Sequence, residues 1–305
     1  MALTLHRRLI QIVRLVCLCM MALALPAVAD EAHWQDMAKA LGKTGTEMPG
    51  GVYRVSLPRS DLHVTLDGVV LKPSLALGSW LAFVAMGKQT VVMGDLVLTE
   101  SEIEPVMKKL AEGNIDITAL HNHLLRAKPA TFYMHVYGVG DGVTLARTLH
   151  EALALSKTPF TAAPTPATPP SIDLDTAAID STLGAKGKIA GGVYQVGIPR
   201  AEPVSEGGMT VPAAMGSAEA INFQPTGHGS AAITGDFVLT AEEVNPVLRT
   251  LRENGIEVTA LHNHMLDDEP RLFFMHFWAS APLPELLKGL RAALDHIAVQ
   301  HMAPK

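Results

Sequence analysis

The chain repeats itself. Ala119-Leu120-His121-Asn122-His123 returns as Ala260-Leu261-His262-Asn263-His264, 141 residues further on. Gly50-Gly51-Val52-Tyr53, Gly94-Asp95 and Pro105 return at the same spacing as Gly191-Gly192-Val193-Tyr194, Gly235-Asp236 and Pro246. A self-similar chain carries one hydrophobic pattern twice, so it has to fold as two copies of one unit. Between the copies, residues 158–170 are dominated by Pro, Thr and Ala, an extended tether with little to bury. The expected organisation is a leader over 1–29, a first repeat over 30–156, a linker over 157–173 and a second repeat over 174–305.

The leader reads as an export signal. His6, Arg7, Arg8 and Arg14 form a basic start, the run from Leu15 to Leu25 is apolar, and Ala27-Val28-Ala29 suits a signal peptidase cutting before Asp30. Both cysteines, Cys17 and Cys19, fall inside this segment, so the mature chain is expected to have neither disulfides nor thiolate chemistry. The apolar stretch ahead of Cys17 is too short and too basic for a lipoprotein signal. The expectation is a periplasmic or secreted protein with no membrane-spanning segment after the leader. Removing Arg7, Arg8 and Arg14 from the 24 basic residues leaves 21 against 30 acidic ones, a net charge of −9. That balance argues against nucleic acid as a partner.

Within each repeat the pattern predicts a short opening helix (about 34–41 and 174–183) and then a strand over 52–57 or 193–198. Weakly alternating segments over 62–92 predict two or three more strands, followed by a strand over 91–98 or 232–239. Thr99-x-x-Glu102 and Thr240-x-x-Glu243 have the spacing of a capping box, which assigns the glutamates to a helix start rather than to catalysis. Strands over 115–123 and 131–137 and a closing helix over 143–155 (284–299 in the second copy) complete the unit. This order predicts an α+β fold of two tandem similar domains. Each is a mainly antiparallel sheet with helices packed on one face, and the two are related by a pseudo-twofold axis.

His121 and His123 are two apart in a predicted strand, and His135 follows at even separation. An even register puts all three on one face with His135 opposite His121 or His123, continuing the apolar face of Ile115, Ile117 and Ala119. His262, His264 and His276 repeat the trio. Three imidazoles converging with a fourth position open suit a divalent ion, zinc above all, which lowers the pKa of bound water and polarises carbonyls. Two other readings stay open: a buried polar network, and a proton-relay or ligand-orienting role. Asn122, Asn263, Asp95 and Asp236 are candidate supports for the rings, the aspartates alternatively forming turns after glycine. Arg59 and Arg200 are candidates for binding an anionic substrate, with a surface ion pair as the plainer assignment.

The segments Gly-Gly-Val-Tyr-x-Val-x-x-Pro-Arg, Gly-Asp-x-Val-Leu-Thr and Ala-Leu-His-Asn-His resemble the bacterial envelope family that includes the LppY and LpqO lipoproteins. That family is a domain of unknown function often carried twice, sometimes described as peptidoglycan-binding. The resemblance implies an exported envelope protein. More distantly, the chain is similar to acetolactate decarboxylase and its relatives, whose duplicated, sheet-rich folds hold zinc with His-x-His and a third histidine. That likeness implies His121, His123 and His135, and His262, His264 and His276, as ligands. The reading is a metal-binding envelope protein, hydrolytic or carbonyl-polarising on a small polar ligand. The alternatives are a non-enzymatic module for a cell-wall glycan or peptide, and a purely structural duplicated domain.

Overall fold

The computed structural model describes residues 27–161 and 171–300. Most of the leader expected over 1–29 and most of the Pro-rich tether lie outside them. Both repeats lie in one compact unit that begins at Met37.

Each repeat is a six-stranded antiparallel sheet. In the first repeat the strands are β1 (Thr46–Met48), β2 (Val52–Pro58), β5 (Gly78–Met86), β6 (Gln89–Leu98), β7 (Asp116–His121) and β8 (Phe132–Gly140). A two-residue ladder, β3 (Thr65–Leu66) with β4 (Val69–Val70), stands apart from the sheet. Sheet order is β1-β2-β5-β6-β8-β7, so β7, which ends at His121, is an edge strand. The second repeat has the same order, ending at the edge strand Glu257–His262. Helices Glu100–Glu112 and Gly142–Leu153 pack on one face of the first sheet; Ala241–Glu253 and Leu283–Leu294 do so in the second.

The other two faces meet each other. Leu75, Val97, Leu124 and Tyr133 share a core cluster with Val193, Ala232 and Trp278 of the second repeat. Val52, Ala82 and Met93 share another with Met215, Val238, Met265 and Phe274. Alternation along each strand thus supplies two apolar surfaces: one takes the helices and the other takes the partner sheet. Polar groups cross the seam as well, among them Gln195 Nε2 to Ser74 O (2.9 Å), Gln224 Nε2 to Val70 O (2.8 Å) and Trp278 Nε1 to Asp67 Oδ2 (3.1 Å). The result is helices, sheet, sheet, helices in four layers.

The capping boxes form as the spacing predicts, at Thr99/Glu102 and Thr240/Glu243. They do more than cap. Glu102 accepts from Arg59 Nη1 (2.8 Å) and Nη2 (3.1 Å), from Thr99 N (2.8 Å) and from Lys157 N (2.8 Å). Arg59 also donates to Val97 O and, through Nε and Nη2, to Asp61. Its side chain is completely buried. Arg200 and Glu243 repeat the arrangement, with Ala298 N in the place of Lys157 N. Assignment of Arg59 and Arg200 to an anionic substrate or to a surface pair is therefore corrected. Each guanidinium is sealed from solvent and turned onto carboxylates of its own repeat; every Arg59 nitrogen is bonded, and in Arg200 only Nε is left without a partner.

Burial pushes the Glu102 carboxyl up, but Arg59 and the Thr99 and Lys157 N–H groups outweigh burial and hold it below the ordinary carboxylate range. A depressed folded-state pKa contributes stability above the unfolded value, about 4.3. That contribution is lost as pH falls through the folded value. In acid titrations followed by thermal melts, E102Q is expected to be less stable than wild type at pH 7, with the gap closing below about pH 4. A gap constant from pH 7 to pH 3 would count against an ionised clamp.

Candidate metal centre

A transverse row of side chains crosses the inner face of each sheet. In the first repeat Trp80 stands opposite Asp95, Asp95 opposite His135, and His135 opposite Ala119. In the second repeat Ala220, Asp236, His276 and Ala260 occupy the same places. Asp95 and Asp236 are therefore mid-strand residues facing inward, which corrects the turn assignment. The expected partner of His135 is corrected too: it pairs with Ala119, while His121 pairs with Tyr133 one row along. Because the register stays even, His121 and His135 still share a face.

The face they share is not that of Ile115 and Ile117. A β-bulge between Ile117 and Ala119, repeated between Val258 and Ala260, inserts Thr118 and Thr259 and shifts the pairing by one residue. Ile117 pairs with Val136, whose side chain faces away from His135. Ile256 correspondingly lies in the helix-side core. The bulge hands the strand over from the helix core to the sheet–sheet seam, so apolar residues serve one side and histidines the other. His123 and His264 lie just past the strand ends. Asn122 and Asn263 hold these turns by donating their side-chain amides to Thr131 O and Leu272 O, and the Asn263 carbonyl also meets the His262 ring.

The two trios meet across the seam. Ring centroids of His121 and His262 are 3.5 Å apart, those of His123 and His276 3.7 Å, and those of His135 and His264 3.7 Å. His121 pairs with its own repeat equivalent, and the other two pairs exchange under the same repeat offset. A pseudo-twofold axis therefore passes between His121 and His262. The expectation of one trio per repeat gives way to one cluster of six. Tyr133 stacks on His123 at 3.5 Å and Phe274 on His264 at 3.7 Å, closing the ends.

Most of their ring nitrogens lack a partner. Both nitrogens of His121, and Nε2 of His123, His135, His262, His264 and His276, are buried without a hydrogen bond. His262 Nδ1 lies 3.2 Å from Asn263 O and His276 Nδ1 3.3 Å from Gly235 O. Two sets could hold an ion with donor atoms within 4.8 Å of one another: His121, His262, His264 and His276, and His121, His123 and His135. Asp236 stands behind the first set, 3.5 Å from His276 Nδ1 and 3.8 Å from His264 Nδ1. Asp95 stands 3.8 Å from His135 Nε2 and 4.0 Å from His123 Nε2.

Burial sets the protonation. It takes His121 down to about 3, with His262 adding to the effect, and His262 down to about 4. His123, His135, His264 and His276 are pushed well below their usual value by burial and by one another. The same burial raises Asp95 to about 8, partly opposed by Arg54, and takes Asp236 well above the carboxylate range. Neutral imidazole is the ligating form. Two carboxylic groups beside it can supply the counter-charge that a buried cation requires.

Beside His135 and His264 lies a cavity of about 20 Å³, enclosed by Trp80, Met93, Met215, Met265 and Phe274 among others. Of these, Phe274 is legible in the sequence as an aromatic neighbour of His276, whereas Trp80 and the three methionines belong to no motif.

None of the curated proteins matches the chain. Three solved structures align with it over much of their length. A trimeric bacterial microcompartment shell protein, PduB, is 10% identical, covers 87% of this chain and 99% of its own, and has a TM-score of 0.22. EtuB from Clostridium kluyveri is 9% identical, covering 83% and 89%, at 0.20. An unknown protein from Galdieria sulphuraria is 11% identical, covering 70% and 95%, at 0.19. Likeness that slight carries no argument about fold or function. The chain belongs to the family described as Domain of Unknown Function (DUF1259), which matches residues 35–155 and again residues 177–296, one copy in each repeat.

Proposed function

We propose that the six-histidine cluster is a divalent-metal site, zinc being the ion that suits it best, and that this exported chain works as a metal-binding protein of the cell envelope. One observation carries the reading: seven imidazole nitrogens are buried together with no hydrogen-bond partner. A structural polar network would satisfy those atoms, since each buried orphan costs about 1–3 kcal/mol. A cation would satisfy them together. Histidines around tetrahedral zinc bring their nitrogens within about 3.3 Å of one another, so sets already within 4.8 Å need only small ring movements.

His121, His262, His264 and His276 would hold the ion, with Asp236 orienting His264 and His276 from their Nδ1 side. This carboxylate–histidine–metal relay fixes the ring tautomer and raises ligand basicity. Bound zinc would supply Lewis acidity toward water or a carbonyl oxygen. The adjoining cavity admits one water-sized species, so hydrolytic chemistry on a larger substrate requires the His-Asn-His turns to part. A glycan-binding module has less support. Among the described residues the exposed large hydrophobic side chains are aliphatic, Leu120, Leu125, Leu261 and Leu266 among them, rather than an aromatic platform.

Elemental analysis of untagged protein after dialysis tests the reading. Near-stoichiometric zinc is expected in wild type and its loss in H264Q, with D236N weakening affinity about 10–100-fold. Metal-free wild type, or equal zinc in H264Q, would reject the site.

A further inference from the structure

The two ends of the histidine cluster are related by the pseudo-twofold axis, yet they are lined differently. At the end where His135 stacks on His264, the cavity is walled by Met93, Met215, Met265 and Trp80. The repeat equivalents of the three methionines are Thr234, Leu75 and Leu124, and that of Trp80 is Ala220. These lie at the opposite end, where His123 stacks on His276. The duplicated fold keeps its histidines at both ends and collects thioethers at one.

All three methionines are buried, in one core cluster with Phe274. His135 Nε2 and His264 Nε2, beside the same cavity, are buried and unpartnered. Asp95, directly opposite both His135 and Trp80 in the sheet, stands 3.8 Å from His135 Nε2. Trp80 is held against the space by Gly216, whose φ is +99° and whose missing Cβ would stand 3.1 Å from the indole. Thioether sulfur is a soft ligand and imidazole an intermediate one. Together, in a cavity of ionic size, they match a soft monovalent cation far better than a hard divalent one.

We propose that the cavity between Met93, Met215, Met265, His135 and His264 is a second metal site, selective for Cu(I). It shares His264 with the four-histidine site, so the two ions compete for that ring, while its three sulfur ligands are its own. Methionine as mere filling for an irregular core is the plainer assignment. Leucine at two of the three equivalent positions shows that the fold packs there without sulfur.

The experiment is anaerobic titration of metal-free protein with Cu(I) against a chromophoric chelator, on wild type and on M93L/M215L/M265L. Leucine conserves volume and is tolerated in cores at small cost. The expected result is one equivalent of copper held by wild type, with sulfur neighbours in X-ray absorption. The triple variant is expected to lose that copper while its zinc binding is unchanged. Copper held equally by the triple variant, or not held by wild type, overturns the proposal whatever zinc does. Thermal melts report folding; should the triple variant not fold, M93L and M265L singly are each expected to weaken copper and leave zinc alone. Unchanged copper affinity in both would also overturn it.

Discussion

Saturating zinc is expected to raise the melting temperature of chelator-stripped protein by about 10 °C. An ion at about a thousand times its Kd stabilises by about 4 kcal/mol, and each kcal/mol moves the midpoint of a chain this size by about 2–4 °C. H121A is expected to abolish the rise, because His121 belongs to both sets of candidate ligands. The stripped H121A protein should melt close to stripped wild type. Neither nitrogen of that ring has a hydrogen bond to lose, and the residue is only partly buried. A polar network predicts the reverse: H121A costing about 1–3 kcal/mol without metal, and no response to zinc. Differential scanning calorimetry of the two proteins, with and without zinc, separates these outcomes.

R59M is expected to be the most destabilising single change in the first repeat outside the hydrophobic core, by about 3–5 kcal/mol. The cost is not that of one ion pair. Removing the guanidinium leaves Glu102 with an uncompensated charge, strands Val97 O, and unties Asp61 from the segment after β2. R59M/E102L, which removes both charges, should recover a large part of that loss, since apolar replacement of a whole buried pair is often near neutral. Denaturant melts of the two variants decide it. A double variant no more stable than R59M would mean that the loss is one of packing rather than of charge.

What sequence reasoning reached, and what it did not, follows the range of the interactions. The capping boxes at Thr99 and Thr240 are local, written within four residues, and they form as read. The duplicated antiparallel sheets with helices follow from periodicity and from the repeat. The bulges at Thr118 and Thr259 do not, because one inserted residue leaves composition and spacing unchanged while reversing a face. Ile117 and His121 look like one stripe and serve opposite layers. Merging of the trios was hidden for another reason. An offset of 141 residues says that His121 and His262 are equivalent, not that they touch. Arg59 was misread because a charged residue after proline at a strand end is ordinarily exposed. Only the fold reveals five acceptor atoms, from Asp61, Val97 and Glu102, closing over it. The methionines had a detectable signal, their absence from the equivalent positions, which comparing the halves residue by residue would have exposed.

The axis between His121 and His262 also constrains what half of this molecule could be. Two different residues of one chain meet there as a residue meets its own copy in an isologous homodimer. A polypeptide carrying a single repeat would present a bare apolar sheet and half of an ion-binding pocket, and pairing with a twin would complete both. Covalent tandem linkage removes the concentration dependence of that association. It also frees the halves to diverge, and the thioether-lined end is where they have done so.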